Sequence, residues 1–506
     1  MNINIHHASI QAVPADALIV NLFEGVERPA GATGAVDQAL GGAISNLIAL
    51  GDFKGKLNQI AVLYPRGAIP APRVIVVGLG AVADFSPERI RQAAAGAAKR
   101  ARDLGAKSIA STAHGAGTGQ VEPSLAAQAV VEGTLLGLYE WTEHKSKKSE
   151  RQVESFTVVE FDPNKLDAIE SGVKAGAIIG QAANFARDLI NQPPNLMTPT
   201  ALANTAQERA NRVGLKCIVH DAEWIRAQGM GALLGVTQGS AQPPQFIVLE
   251  HTGAEGEPLV FVGKGITFDT GGISIKPAEG MEAMKSDMSG AAAVIAALAA
   301  IAELNLPIHA VGLVPTCENM PSSTAYRPSD VLRAKNGKTI EVISTDAEGR
   351  LILADALSYA AELKPKAVID LATLTGACVV ALGENVAAGY FCNDEALARK
   401  VEAASQATAE RLWRLPLYDE YRDKIRSDTA DVKNTGGRQG GVGSSAVFLE
   451  EFTAYPWAHW DIAGVALDKL GATSLYPRTH PPHSIRGGVG FGVRALVELA
   501  RRWSSP

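Results

Sequence analysis

Basic residues are in short supply: 47 Lys and Arg stand against 53 Asp and Glu, a formal net charge of −6. That balance excludes a generally basic surface, so nucleic acid is at most a secondary partner. Cysteine is scarcer still. Cys217, Cys317, Cys378 and Cys392 lack metal-ligand spacing and read as reduced, packed thiols of a cytoplasmic protein. Long hydrophobic runs are missing too. The longest uncharged apolar stretch, the Ala-rich 290–302, is too short to span a bilayer. Residues 1–10 carry no basic segment followed by an apolar core, so no signal peptide is visible and no membrane partner is expected. No internal repeat is apparent.

What remains is an ordinary globular balance, with 46% hydrophobic and 20% charged residues over 506 positions, enough for two or more domains. Residues 1–165 read as a smaller N-terminal α/β domain serving assembly or spacing. The apolar runs 17–22, 59–63 and 74–78 suit buried strands. Ser86-Pro87-Glu88 is a helix start, with Ser as cap, Pro at the first position and an acid in the first turn. Gly78-Leu79-Gly80 lacks a third glycine at the offset a dinucleotide loop needs and reads as a tight turn. The polar run 143–151 reads as a solvated loop, with a basic contact patch as the alternative.

Residues 166–506 read as a larger C-terminal α/β domain. A helix over 166–190 leads into it, and prolines break the chain at 191–199. Strand patterns at 216–220, 245–250, 259–263, 309–315, 339–343 and 367–371 alternate with helical ones at 289–304 and 351–363. That order predicts a mostly parallel sheet covered by helices on both faces.

The chemistry concentrates in this second part. Ser344-Thr345-Asp346-Ala347-Glu348-Gly349-Arg350 joins a strand pattern to a helix, where ligand sites of α/β sheets lie. Two carboxylates and a guanidinium in five residues are costly to bury unless cations compensate them. The bland alternative is a helix start whose acids complement the dipole. Gly263-Lys264-Gly265 runs on to Asp269, Gly271, Gly272 and Lys276, and Met284-Lys285-Ser286-Asp287 opens an Ala-rich helix. Asp269, Asp287, Asp346 and Glu348 together make an oxygen cage suited to hard or borderline divalent metals. Histidine and cysteine are absent from these stretches, which excludes a thiolate-type structural zinc site. Ser444-Ser445 forms no Ser–His–Asp signature, and His251, His459, His480 and His483 read as surface or packing residues.

Residues 344–351 resemble the signature of the leucine aminopeptidase (cytosol aminopeptidase) family, with Ser at its first place. The stretches 263–272, 284–290, 191–195 with Thr198-Pro199, 318–321 and 370–377 resemble further blocks of that family, in the same order. The likeness is strong from about residue 170 onward. It implies a two-metal aminopeptidase that hydrolyses the N-terminal bond of peptides, preferring leucine or another bulky apolar first residue. By that resemblance Asp269 and Glu348 bridge two ions, Asp346 completes one site, and Lys264 with Asp287 completes the other. The ions would be manganese or zinc, with magnesium a third candidate. A neutral Lys264 is chemically demanding, and taken alone it would read as a salt-bridged lysine. Lys276 is expected to hold the oxyanion and Arg350 to clamp a small anion, bicarbonate in the family; ordinary ion pairing is the alternative for both. Met284, Thr373 and Gly376 align with the pocket for the first substrate residue, against core packing for Met284 and a helix cap for Thr373. A homo-hexamer is implied. One departure stands out: 485–490 read Ile-Arg-Gly-Gly-Val-Gly where the family carries Lys-Gly-Ala-Thr-Gly-like residues. A phosphoester or another amide is the alternative substrate class for such a site.

Overall fold

The computed structural model describes residues 1–117, 120–147, 149–470 and 480–504. Lys148 of the polar run 143–151 falls outside them. The chain falls into two compact units: Met1–Asn184 with the described part of Leu470–Ile485, and Phe185–Lys469 with Arg486–Pro506. The boundary read from the sequence, 165/166, coincides with the start of helix Leu166–Asn191, whereas the units part inside that helix.

The first unit is built on strands β1 (Asn2–His7), β2 (Ala17–Leu22), β3 (Ile60–Leu63), β4 (Val74–Gly78), β5 (Ser108–Ser111) and β6 (Ser155–Glu160). They pair in the order β1-β6-β5-β2-β4-β3. All neighbours are parallel except β3, which runs against β4. β4 is buried along its whole length, and its unbroken Val-Ile-Val-Val run is what a strand covered on both faces requires. The helix start at Ser86 forms as its residues predict: its hydroxyl accepts the Arg89 N–H and Pro87 takes the first position of helix Pro87–Asp103.

The second unit carries β7 (Lys216–His220), β8 (Gln245–Thr252), β9 (Leu259–Gly263), β10 (Gly265–Asp269), β11 (His309–Asn319), β12 (Val331–Arg333), β13 (Thr339–Glu341), β14 (Ala367–Ala372), β15 (Ala388–Cys392), β16 (Leu412–Arg414), β17 (Val432–Lys433) and β18 (Trp457–Asp461). The main sheet runs β16-β15-β18-β14-β9-β11-β8-β7, with β10 added on β11. Its centre, β18-β14-β9-β11, is parallel; β7 and β8 on one flank and the β15–β18 pair on the other supply the antiparallel contacts. Helix Ser289–Glu303 packs against one side of this centre, and helix Gly349–Ala360 with helix Gly231–Thr237 packs against the other.

One expected element lies elsewhere. Residues 339–343 do not extend the main sheet; Thr339–Glu341 pairs with β12 and β17 in a separate three-stranded sheet. Only Ile340 of that short strand is buried, too little apolar surface for a central position. The apolar run around 290–302 is also longer than its sequence reading. With the preceding 3-10 turn, Met281–Glu303 is long and apolar enough to cross a membrane on length and composition, but 89% of its most apolar window is buried inside the protein. It is a core helix.

What the sheet positions is a set of strand ends. Lys264 follows β9, Asp269 closes β10, Thr373 follows β14, and Asp287 and Glu348 stand just before helices Ser289–Glu303 and Gly349–Ala360. Backbone contact is close here. Lys264 N–H donates to the Leu371 carbonyl (3.0 Å), and the Ala291 N–H donates to that of Lys264 (2.9 Å). Gly290 makes this approach possible, since a Cβ on it would lie 2.0 Å from the Leu371 oxygen and 3.0 Å from Lys264 N. We expect Gly290→Ala to cost about 1–3 kcal/mol. In a melting experiment that is a loss of about 2–4 °C per kcal/mol, and an unchanged melting temperature would contradict the backbone-to-backbone packing.

Candidate metal centre

Lys264, buried at the end of β9, holds its Nζ 2.8 Å from Asp287 Oδ1 and 2.8 Å from Glu348 Oε1, and donates to the Thr373 carbonyl at 3.0 Å. Gly349 allows this, because a Cβ there would come within 2.6 Å of that Nζ. Lys276 is the second cation: its Nζ lies 2.8 Å from Asp269 Oδ2 and pairs with Asp346 Oδ1. Oxygens of Asp269, Asp346 and Glu348 lie within 4.8 Å of one another. Four carboxylates, Asp269, Asp287, Asp346 and Glu348, thus surround two ammoniums, a formal surplus of two negative charges.

The titration behaviour follows from that surplus. Burial, with Glu348 beside it, pushes the Asp269 carboxyl up to about 6. Burial likewise raises Asp287 well above the usual carboxylate range, and raises Asp346. Glu348 goes the other way: burial works against its charge, but Lys264 and Lys276 outweigh it and hold the carboxyl at about 2. For Lys264, burial favours the neutral amine, and the charges of Asp287, Glu348 and Asp269 override it and hold the proton more tightly than in water. The neutral Lys264 of the sequence reading is therefore not the state of this arrangement by itself. Two ammoniums do not compensate four acids, and Asp269, Asp287 and Asp346 hold their protons more tightly than in water.

A divalent cation fits the same donor set. The oxygens are hard, they converge, and Asp287 Oδ2 is buried without a hydrogen-bond partner. The surrounding groups are neutral. Asn319 Nδ2 and the Gly271 N–H each donate to Asp269 Oδ1 at 2.8 Å, and Thr373 Oγ1 donates to Asp287 Oδ1 at 2.7 Å. Thr345 locks the 269–276 loop to the acidic turn, donating to the Gly271 carbonyl at 2.6 Å and accepting the Ser274 N–H at 2.8 Å.

Arg350 opens helix Gly349–Ala360 and is buried, which lowers its pKa to about 10 against the pull of Glu348 and Asp461. Its Nη1 donates to the Asn434 carbonyl at 2.8 Å, while its Nε is buried without a partner. Of the pocket candidates, Thr373 reaches the cluster through Asp287, and the cap of helix Gly376–Leu382 is instead Thr375, whose hydroxyl accepts the Cys378 N–H. Met284 sits on the turn Met281–Ser286, its carbonyl accepting the Asp287 N–H. Gly376 is exposed, with nothing within 4 Å of where a Cβ would stand. His251 bonds the Leu306 carbonyl, and His459 is buried against Asp370 at 2.5 Å. In the departing stretch 485–490, Gly488 N–H donates to Asn191 Oδ1, whose own carbonyl accepts the Lys285 ammonium.

Two residues escaped sequence reasoning. Asn434, fully buried, accepts the N–H groups of Ile343 (2.8 Å) and Ser344 (3.3 Å) and donates to the Ser344 carbonyl (2.6 Å), fixing the acidic turn from about 90 positions away. Tyr326 donates to the Thr345 carbonyl at 2.7 Å. The only local hint was the glycine-rich stretch after Asn434.

Residues 184–497 match the catalytic domain of the cytosol aminopeptidase family, and residues 19–148 match that family's N-terminal domain. The chain is 44% identical over 505 residues to a probable cytosol aminopeptidase of Geobacter sulfurreducens, covering 99% of each. It is 42% identical over 510 residues to one from Roseiflexus castenholzii, covering all of both. Among solved structures it is similar to the bottromycin maturation enzyme BotP in complex with Mn (TM-score 0.85, 34% identity, 97% of this chain and 100% of that one). It is also similar to a mutant of tomato leucine aminopeptidase (TM-score 0.86, 33% identity, 99% of this chain and 96% of that one).

The cluster predicts a pH effect in chelator-treated protein. Asp269 has a folded pKa of about 6 against an ordinary 3.8, so the folded state binds more protons across that window and loses stability as pH rises through it. Glu348, held at about 2, contributes stability above its ordinary 4.5 that is lost only in stronger acid. Compared with Asp269→Asn, the wild-type chain should therefore lose up to about 3 kcal/mol between pH 4 and 7. Parallel melting curves of the two proteins across that range would sink the prediction.

Proposed function

Because the chain belongs to the cytosol aminopeptidase family and is a metal-dependent aminopeptidase, we propose that it releases N-terminal residues from peptides through a two-metal-activated water, preferring leucine or other bulky apolar first residues. The observation that carries this reading is the acid surplus: four convergent carboxylates around two ammoniums. In it, two divalent ions, manganese or zinc with magnesium a third candidate, would be held by Asp269, Glu348, Asp346, Asp287 and Lys264. When bound, such ions supply Lewis-acid charge and a water of lowered pKa at the scissile carbonyl.

The chain's own residues do the rest. Lys264 changes role with the charge around it: burial already favours its neutral amine, and the carboxylates that hold its proton lose that hold once their charge is compensated. Lys276, tethered between Asp269 and Asp346, donates from Nζ to the carbonyl oxygen as negative charge grows there. Arg350, with its Nε buried and unpartnered, clamps a small anion such as bicarbonate, which takes the proton of the attacking water. That division of labour makes a catalytic histidine unnecessary. Met284, Thr373 and Gly376 line the pocket for the first residue, where the bare Gly376 leaves room for a branched side chain. The N-terminal domain, residues 1–165 in the sequence reading, serves assembly of a homo-hexamer in the cytoplasm.

Hydrolysis of leucine p-nitroanilide tests the proposal. Chelation should abolish activity and manganese or zinc restore it. Asp346→Ala and Glu348→Ala should each lose more than about 100-fold. Lys276→Ala should lower kcat by about 100- to 1,000-fold with little change in KM. Near-wild-type turnover by both carboxylate variants would falsify the two-metal reading.

A further inference from the structure

The peptidase chemistry leaves a cavity in the first unit unused. It measures about 720 Å³, within the range of small-molecule sites. Its floor is formed where parallel strands end: Asn21 and Leu22 of β2, Thr112 just past β5, and Val159 and Glu160 of β6. From β2 the chain goes to β4 on one side and then crosses to β5 on the other, so the strand order reverses between β2 and β5. In a doubly wound sheet that reversal opens a crevice in which ligands bind.

The walls are mostly apolar, but their polar groups fall into two ends. On the β2 side stands Arg28, exposed and without a hydrogen bond or ion pair among the described residues, together with the start of the nine-residue helix Gly31–Ala39. That helix has Ala30 at its cap position and no side chain satisfying its first N–H groups. On the β6 side stand Glu160, whose Oε1 accepts the N–H groups of Phe161 (2.9 Å) and Asp162 (2.8 Å), and the Asp162–Lys165 pair (3.8 Å), which leaves Glu160 the carboxylate of that end without a cation of its own among the described residues. Phe161 adds an aromatic face that is 70% exposed. Strands β2 and β6 are separated by β5, so the strands that carry the two ends lie about 10 Å apart. A third observation is independent of both: Gln11 lines the cavity with its Oε1 buried and without a partner, an acceptor waiting for a donor.

We propose that this cavity is a binding site for a nucleoside phosphate, with phosphate against Arg28 and the helix start, and ribose and base toward Glu160, Gln11 and Phe161. Such a ligand supplies an anion at one end and hydroxyl or amino donors with a planar ring at the other. A simple anion would leave Glu160 opposed, and a purely apolar ligand would leave Arg28 and the N–H groups unused.

Calorimetric titration of the full chain with ADP, adenosine and inorganic phosphate tests this, with the same titrations in Arg28→Ala, Glu160→Gln and the metal-centre variant Asp346→Ala. The expected result is saturable ADP binding, one per chain, retained in Asp346→Ala. It should weaken at least tenfold in Arg28→Ala and in Glu160→Gln, while Arg28→Ala keeps full peptidase activity. Adenosine and phosphate alone should each bind at least tenfold more weakly than ADP. No saturation by about millimolar ADP, equal binding by phosphate alone, or binding lost in Asp346→Ala but kept in Arg28→Ala would each overturn the proposal.

Discussion

Negative charge gathered out of water is the constraint on which the catalytic unit depends. Two like charges 4 Å apart repel by about 4 kcal/mol even at an effective dielectric of 20, and here Asp269, Asp346 and Glu348 bring oxygens within 4.8 Å of one another. The fold tolerates this because the acids are divided among three rigid elements: Asp269 at the end of β10, Asp287 just before helix Ser289–Glu303, and Asp346 with Glu348 on the turn that opens helix Gly349–Ala360. Helix starts carry partial positive charge, so they favour the acids placed there. Lys264 and Lys276 then supply the nearest full charges.

The groups that hold the acids in place are chosen for neutrality. Asn319, Thr373, Thr345, Tyr326 and Asn434 fix carboxylates or the turn that carries them through amides and hydroxyls. An arginine or lysine at Asn319 or Thr373, the two that bond carboxylates directly, would halve the surplus charge of two. The cluster would then be more stable by itself and worse at holding a dication, because a cation competes with metal for the same lone pairs. Lys264 and Lys276 are the charged exceptions, and for Lys264 burial favours loss of the proton while the carboxylates oppose it.

The parts of this arrangement legible in the sequence are those with local causes. The Ser86-Pro87-Glu88 cap, the buried runs of β2, β4 and β9, and the helix that follows Glu348 all announce themselves within a few residues. The acids and lysines of the centre were found because they cluster in short polar stretches at strand ends and helix starts, and because several blocks resemble a known family. Asn434 and Tyr326 were not found, since a single asparagine bonding a turn some 90 positions away has no periodicity or spacing. The 339–341 strand was assigned to the wrong sheet for a related reason: local β-propensity does not say which partner a strand will find. The boundary between units inside helix Leu166–Asn191 has no break in helical pattern to mark it.

Both units obey one rule of α/β architecture, in that each opens a site outside the carboxyl ends of its parallel strands. The rule fixes where a site forms and leaves its chemistry to the side chains. After β9, β10 and β14 stand acids and lysines in a charge-unbalanced knot, which selects cations. After β2, β5 and β6 stand alanines, two phenylalanines, and Arg28 and Glu160 on different strands' sides, which suits an amphiphilic anion. Strand ends leave backbone groups and side chains converging without the need to bend a helix or strand, so such crevices come with the sheet. The crevice in the first unit is open, about 720 Å³, and carries polar groups at its strand ends.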